Sequence, residues 1–440
     1  MIGCLLLLVA IFFYVKGRKK YSLLIFLSFV SGGFQLLSTN IIGVKLEDLA
    51  FFYIVIINIY SYCCERYCVE ENQKVKRFVK YLFIFLILSA LFSLFYYGFT
   101  IFQVIQGGRM LFLFMSYYFL RKVNIEDALW IFKVMYYITF ITSILYIIEV
   151  ITGLPVLPYG EPNIDEDTGL LRYYNSPTYL ALFIYAIIIF PEYFWDFKFK
   201  KIAPYVFCLA QICTLGRTEI ITVVVMVFIG MIMKGNRRHL IKIATIGTIF
   251  FIPFSSILIS RFNTGAGTQN DLTAILKGEF VEYANSGAYS GQGTMTYRFA
   301  WVYERVLYLS DRPLLENIFG LGMISDSQIQ LVQAKYNFLL GLESDETGYR
   351  QMMSTPDIAY GNFITQFGYL GGIILLMLWV FVAKYLYKNR QLHPVILLVA
   401  LTVIGYFFRS ISGSVISSTG NLNMPFLFMS IIPQLKQMKY

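Results

Sequence analysis

The chain has 440 residues, of which 58% are hydrophobic and 18% aromatic while only 14% are charged; soluble domains carry roughly a quarter charged residues, so a water-soluble fold is not expected. The formal charge of +10 does not indicate nucleic acid, because the basic residues recur in short clusters between hydrophobic segments and form no stripe or basic arm. The apolar residues run unbroken for membrane-spanning lengths without strict alternation, which selects an all-α integral membrane protein, a polytopic helical bundle, over a β-barrel.

In chain order, apolar segments are predicted to begin near Ile2, Tyr21, Leu49, Tyr81, Met110, Leu129, Pro177, Pro204, Ile220, Leu240, Ile358, Pro394 and Met424, giving about 12–13 transmembrane helices. The first, Ile2 to Val15, lacks a basic start and runs into Lys16, Arg18, Lys19 and Lys20, so it reads as a retained helix and not as a removable signal peptide. Its fourteen residues fall short of the roughly 20 that a span needs, and the natural start is expected upstream of Met1. Placing its basic cluster in the cytoplasm puts every alternate loop inside. The inside loops then hold 23 Lys and Arg, whereas the short outside loops hold five: Lys45, Arg109, Arg172, Arg217 and Arg409. That asymmetry predicts the N-terminus outside and the C-terminus inside a bacterial-type plasma (inner) membrane.

Three regions follow. Residues 1–261 carry the first ten helices, with short loops and an outer loop at 152–176; residues 262–357 form one large extracytoplasmic loop; residues 358–440 carry the last three helices. The large loop holds seven basic residues, counting Arg261 at its edge, but long loops are exempt from the charge rule. No tandem or inverted repeat is visible. The loop has no cysteine, so no disulfide framework is expected there. Cys63, Cys64 and Cys68 cluster at the inner end of the third helix, where they could hold a metal, carry a lipid or simply pack. Both histidines, His239 and His393, fall in inside loops, so neither a zinc site nor a histidine base is expected on the outer face.

An arginine at bilayer depth costs roughly 2.5–3.5 kcal/mol, so arginines at outer helix ends need a reason. Arg217 lies in the short turn Leu215-Gly216-Arg217-Thr218-Glu219, either as an anion site or as a snorkelling side chain paired with Glu219. Arg172, Arg298 and Arg409 face the same compartment. Asp165-Glu166-Asp167 mimics the DxD of metal-dependent sugar transferases, but nucleotide sugars are not supplied outside the cell, and the stretch reads as a solvated acidic loop. Gly265-Ala266-Gly267 and Gly291-Gln292-Gly293 complete no phosphate-binding pattern and read as flexible connectors. The run Tyr297 to Tyr308 has apolar residues at helical spacing, followed by Asp311-Arg312-Pro313 and the turn Gly320-Leu321-Gly322. Asp357-Ile358-Ala359-Tyr360 leads into a helix containing Gly368, Gly371 and Gly372.

Three of these stretches, in this order, resemble the family of O-antigen polymerases and O-antigen ligases: TLGRTE (214–219); YRFAWVYERV with DRPLLENIFGLG (297–306 and 311–322); and DIAYGNFITQFGYLGG (357–372). The large outer loop before the last few helices matches as well, although an odd helix count departs from relatives with both ends in the cytoplasm. The resemblance implies transfer of oligosaccharide repeat units from a polyprenyl-pyrophosphate-linked donor to a sugar hydroxyl of a lipid-linked glycan, as in O-antigen, capsule or exopolysaccharide synthesis. It implies no metal and no cofactor. The partners implied are membrane lipids, a chain-length regulator and a flippase, and no nucleic acid. It points to Asp357, Arg298 and Arg217 as catalytic and to Arg172, Tyr360 and Arg409 as substrate-binding. Ligases of this kind carry a histidine where Asp357 falls, counting back from Gly368 and Gly371, so a polymerase is expected over a ligase. An ordinary carboxylate is a weak base for a sugar hydroxyl. The alternative for Asp357 is an N-cap of a helix opening at Ile358. The alternatives for the chain are a flippase or exporter of lipid-linked sugars and a membrane sensor.

Overall fold

The computed structural model describes residues 2–438 other than 39, 42–43, 66–71, 159–161, 165–170, 174–175, 236–272, 288–293, 326–327, 337, 344–349, 352, 354 and 356. The predicted segment at Leu240 therefore lies outside the described residues, as do Asp165 to Asp167, both GxG connectors, His239 and Cys68.

The described chain is helical, and its only strands are three two-stranded antiparallel hairpins: β1–β2 (Asn40–Ile41 with Val44–Lys45), β3–β4 (Pro162–Ile164 with Leu171–Tyr173) and β5–β6 (Leu342–Glu343 with Arg350–Gln351). The helices before the large loop are α1 (Ile2–Val15), α2 (Lys19–Val30), α3 (Leu46–Cys64), α4 (Gln73–Phe95), α5 (Ile101–Gly108), α6 (Ile125–Thr152), α7 (Leu180–Ile189), α8 (Ala203–Cys213) and α9 (Arg217–Lys234). The loop contributes α10 (Glu279–Ser286), α11 (Thr294–Ser310), α12 (Leu314–Phe319) and α13 (Ile329–Lys335). After it come α14 (Ala359–Lys388), α15 (Pro394–Arg409), α16 (Asn423–Met429) and α17 (Ile431–Gln437).

Among the described residues, four helices are long and apolar enough to cross a membrane: α3, α4, α6 and α14, of 19 to 30 residues against a need of about 20. Their ends are chemically marked. Asn72 caps α4 by accepting from the Lys74 and Val75 amides, Asn124 caps α6 through Asp127, and Gly153 closes α6 at φ +70. Apolar side chains also face outward along these helices, as Ile84, Ile87, Leu88 and Leu91 do on α4. A helix that is apolar on both faces suits a bilayer and not water.

Helices and apolar runs do not coincide everywhere. The run expected from Pro177 forms only the ten residues of α7, because Tyr179 takes a left-handed φ of +64 before it and Pro191 opens a 3-10 turn after it. The run expected from Met110 starts earlier, at Ile101, on a capping box between Thr100 and Gln103. It continues from α5 through a 3-10 stretch, Arg109–Ser116, into Tyr117–Leu120. Arg109, assigned to a short outer loop, thus sits inside a continuous helical run, with Nε 2.8 Å from Asp48 Oδ1.

Outside the large loop, each ion pair between described residues joins two groups that the charge count assigns to one side. Glu65 takes Lys19 and Lys122, and Glu192 takes Lys234, at one end; Asp48 takes Arg109 and Glu219 takes Arg409 at the other.

The loop helices dock on α4 and α14 through glycines. Gly320 and Gly368 have φ of +75 and +61, and a Cβ on either would lie 2.4–2.6 Å from the backbone nitrogen of the other. The Leu321 amide donates to the Thr365 carbonyl at 2.9 Å, and α14 breaks its helical geometry at Gly368 to receive this contact. On the α4 side, Tyr97 donates to the Gly320 carbonyl at 3.2 Å and the Met323 amide donates to Ser93 Oγ at 2.8 Å. Gly320-Leu321-Gly322 and Gly368 are therefore two halves of one close contact between backbones.

Candidate functional site

Helix α11 carries Arg298, Trp301, Arg305, Tyr308 and Arg312 at steps of three and four residues, which places them along one face. Trp301 is fully buried against α14 at Gly361, where even a methyl group would come within 2.0 Å of the indole ring. Arg305 is also fully buried. Its guanidinium lies 4.0 Å from the Trp301 ring centroid and 4.2 Å from that of Phe338, donates to the Leu340 carbonyl at 2.6 Å and contacts Glu304. Glu304 in turn accepts from the Leu339 amide at 2.6 Å. A buried cation is costly unless it is paired and stacked, and here both conditions hold, so the stack clamps α11 and residues 338–340 together.

That clamp sets the position of Arg298, three residues before Trp301. Its Nη2 stands 3.6 Å from Asp357 Oδ1, and its Nη1 donates to Met295 Sδ at 3.3 Å. Asp357 is held from behind. Buried Asn362 accepts from the Thr355 amide and donates to the Thr355 carbonyl, both at 2.9 Å, and Thr355 Oγ1 accepts from the Asp357 amide at 3.2 Å. The Ala359 amide then donates to the Ser410 carbonyl at 3.2 Å. The cap reading of Asp357 is corrected: α14 opens at Ala359, its N-cap residue is Ile358 in extended geometry, no side chain caps it, and the Asp357 carboxylate turns to Arg298.

Three side-chain donors on this stretch of α11 are buried without a hydrogen-bond partner among the described residues: Tyr297 Oη, Arg298 Nε and Trp301 Nε1. Burial pushes the Tyr297 phenol up to about 12, with Arg305 opposing and Asp357 adding to the shift, so it stays a protonated donor beside the ion pair. Buried donors left unsatisfied are rare in native folds, and three in one place make a surface ready for an oxygen-rich ligand. Sequence reasoning named Arg298 and missed Tyr297 and Arg305. The seven-residue step from Arg298 to Arg305, two turns along one face, was the available signal.

The other expected residues lie elsewhere. Arg217 is half-buried at the start of α9, where Leu215 turns the chain at φ +48. The pairing expected between Arg217 and Glu219 gives way to one between Glu219 and Arg409, which joins the start of α9 to the end of α15. Glu219 and Arg409 both line a cavity of about 320 Å³ together with Gln35, Thr178, Gln211 and Tyr406. The Tyr360 hydroxyl donates to the Phe407 carbonyl at 3.4 Å, tying the start of α14 to α15. Arg172 pairs through its backbone with Asn163 in the β3–β4 hairpin, and its side chain lies outside the described residues. The structure thus brings Arg298 and Asp357 into contact, sets Tyr360 in the first turn of α14, and places Arg409 with Glu219 in a second pair on a cavity wall that includes neither Arg298 nor Asp357.

No protein-family model matches this sequence, and no curated protein matches it. Fold and site together describe a helical chain with four helices of membrane-crossing character and a loop-borne guanidinium–carboxylate pair surrounded by orphan donors.

Proposed function

We propose that this chain is a glycan polymerase of a bacterial plasma membrane, with about a dozen transmembrane helices and its active face extracytoplasmic. It transfers oligosaccharide repeat units from a polyprenyl-pyrophosphate donor to a lipid-linked glycan acceptor. The observation that carries the reading is the Arg298–Asp357 contact with three unsatisfied donors beside it, Tyr297 Oη, Arg298 Nε and Trp301 Nε1. An acceptor hydroxyl attacks C1 of the donor sugar, the bond from C1 to the phosphate oxygen breaks, and polyprenyl pyrophosphate leaves with the bonding electrons. The developing negative charge needs fixed donors in a poorly hydrated place, which Arg298 and Tyr297 supply. The hydroxyl proton passes to the Asp357 carboxylate. The segregation of ion pairs to two ends of the bundle supports the alternating topology.

Polymerase is preferred to ligase on the chemistry of the described residues near Asp357, where no histidine contacts the pair. His393 caps the far end of α15, accepting from the Val395 amide at 3.3 Å, roughly 24 Å of helix rise from Arg409. In a strain lacking this protein, surface glycan is expected to collapse to single repeat units, with modal chain length restored by the wild-type chain. Surface glycan of unchanged length distribution would contradict the proposal.

A further inference from the structure

A second cavity, of about 560 Å³, opens between the α5–3-10 junction, the start of α14 and the polar segment 414–419. Its size falls within the roughly 300–1,000 Å³ of small-molecule sites. Its wall is chiefly neutral and polar: Gln106, Gln366, Thr355, Ser414 and Ser418 face it, with Met110 and Ile324 among its apolar members. Gln366, Ser414 and Ser418 donate and accept no side-chain hydrogen bond among the described residues, apart from contacts of their backbones, which leaves an amide and two hydroxyls available to a ligand. The charges on the wall nearly cancel. Arg109 is held by Asp48 at 2.8 Å, and Lys45 faces the cavity together with Glu47. A phosphate-bearing headgroup would find no uncompensated cation there, whereas a saccharide offers hydroxyls that both donate and accept, and carbon faces for the apolar side chains.

The cavity is also coupled to the candidate site. Thr355 lines it, and the same Thr355 is clasped by Asn362 and holds the Asp357 amide. Residues 414–419 separate it from the smaller cavity, whose wall includes Val415, Gly420 and Asn421. We propose that this second cavity binds the terminal sugars of the acceptor glycan and presents their hydroxyl toward Asp357. Its assignment to the acceptor rests on the polymerase reading, whereas the saccharide binding itself does not.

The test uses the purified full chain in detergent and, as probe, the repeat-unit oligosaccharide freed from its lipid by mild acid, with glycerol phosphate as the headgroup control. Affinity is measured by titration calorimetry for the wild type, for Gln366→Leu and Ser414→Leu in the cavity wall, and for Lys234→Gln at the opposite end of the bundle. Each wall variant is expected to raise Kd about tenfold or more, the scale of one lost neutral hydrogen bond with its desolvation. Lys234→Gln should keep the wild-type Kd, and glycerol phosphate should not compete. The proposal is overturned if the wild type does not bind the oligosaccharide, if both wall variants bind it as the wild type does, or if glycerol phosphate displaces it. The two ideas fail separately. Wall-dependent binding without any glycan lengthening would sink the polymerase reading alone, and glycan lengthening with wall-independent binding would sink the cavity alone.

Discussion

Arg298→Ala is expected to lower polymerisation by about 10²-fold or more, the scale of removing one fixed donor from a developing oxyanion, while the protein stays folded in the membrane. Magnitudes separate chemistry from structure here. The ion pair is 3.6 Å long and Asp357 is about one-third exposed, so its loss should cost stability no more than about 1 kcal/mol. A small change in Tm with a large loss of product therefore marks a chemical role. Arg298→Lys should rescue poorly, because an ammonium cannot reproduce the planar fork of donors. Asp357→Asn carries the second half of the argument. Since Ile358 occupies the cap position without a side-chain bond, asparagine cannot be expected to act through capping, and a variant that folds normally but makes only short glycan would assign the carboxylate to the proton or to Arg298. Full-length glycan from Arg298→Ala or from Asp357→Asn would remove that residue from the mechanism.

Gly368→Ala should be strongly disruptive for a change of a single methyl group. Gly368 has φ +61 and ψ −173, a region open essentially to glycine alone, which costs an alanine about 1–3 kcal/mol. The added methyl would also lie 2.4 Å from the Gly320 nitrogen and 2.5 Å from the Ile318 carbonyl oxygen, where backbone must move, at a further cost of about 1–3 kcal/mol. The variant is expected to lose the docking of the large loop, seen as protease sensitivity within 311–325 and a lower Tm in detergent. Gly372→Ala, four residues on, is the contrast. Its nearest new contact is 3.3 Å, to the Phe363 side chain within the same helix, so it should fold as the wild type does. Equal stability of the two variants would refute the backbone-contact account of these glycines.

Composition and run length made helices of membrane-crossing character legible, because apolar surface on every face of a helix needs no tertiary information to be read. Helix ends were less legible. A run of apolar residues does not record that Tyr179 takes a left-handed turn or that Pro191 stops α7, and Arg109 looks like a loop residue until Asp48 is seen beside it. Arg298 and Asp357 could be named separately, but their contact spans 59 positions and depends on Trp301 against Gly361 and on the Asn362 clasp. Glu219 illustrates the converse: its nearest basic neighbour in sequence is Arg217, yet its carboxylate goes to Arg409, delivered by a different helix. The segment 414–419 is not legible as a site because serines and a threonine between two helices look like any turn, and only its placement between two cavities marks it.

The most direct measurement is reconstitution of the purified chain in liposomes with a lipid-linked repeat unit as the sole substrate, in the presence of a metal chelator and without nucleotide sugars. The account predicts a ladder of lipid-linked products growing by whole repeats, one polyprenyl pyrophosphate released per bond formed, and loss of the ladder with Arg298→Ala. A repeat unit that stays single, or that crosses the bilayer without being lengthened, would contradict it.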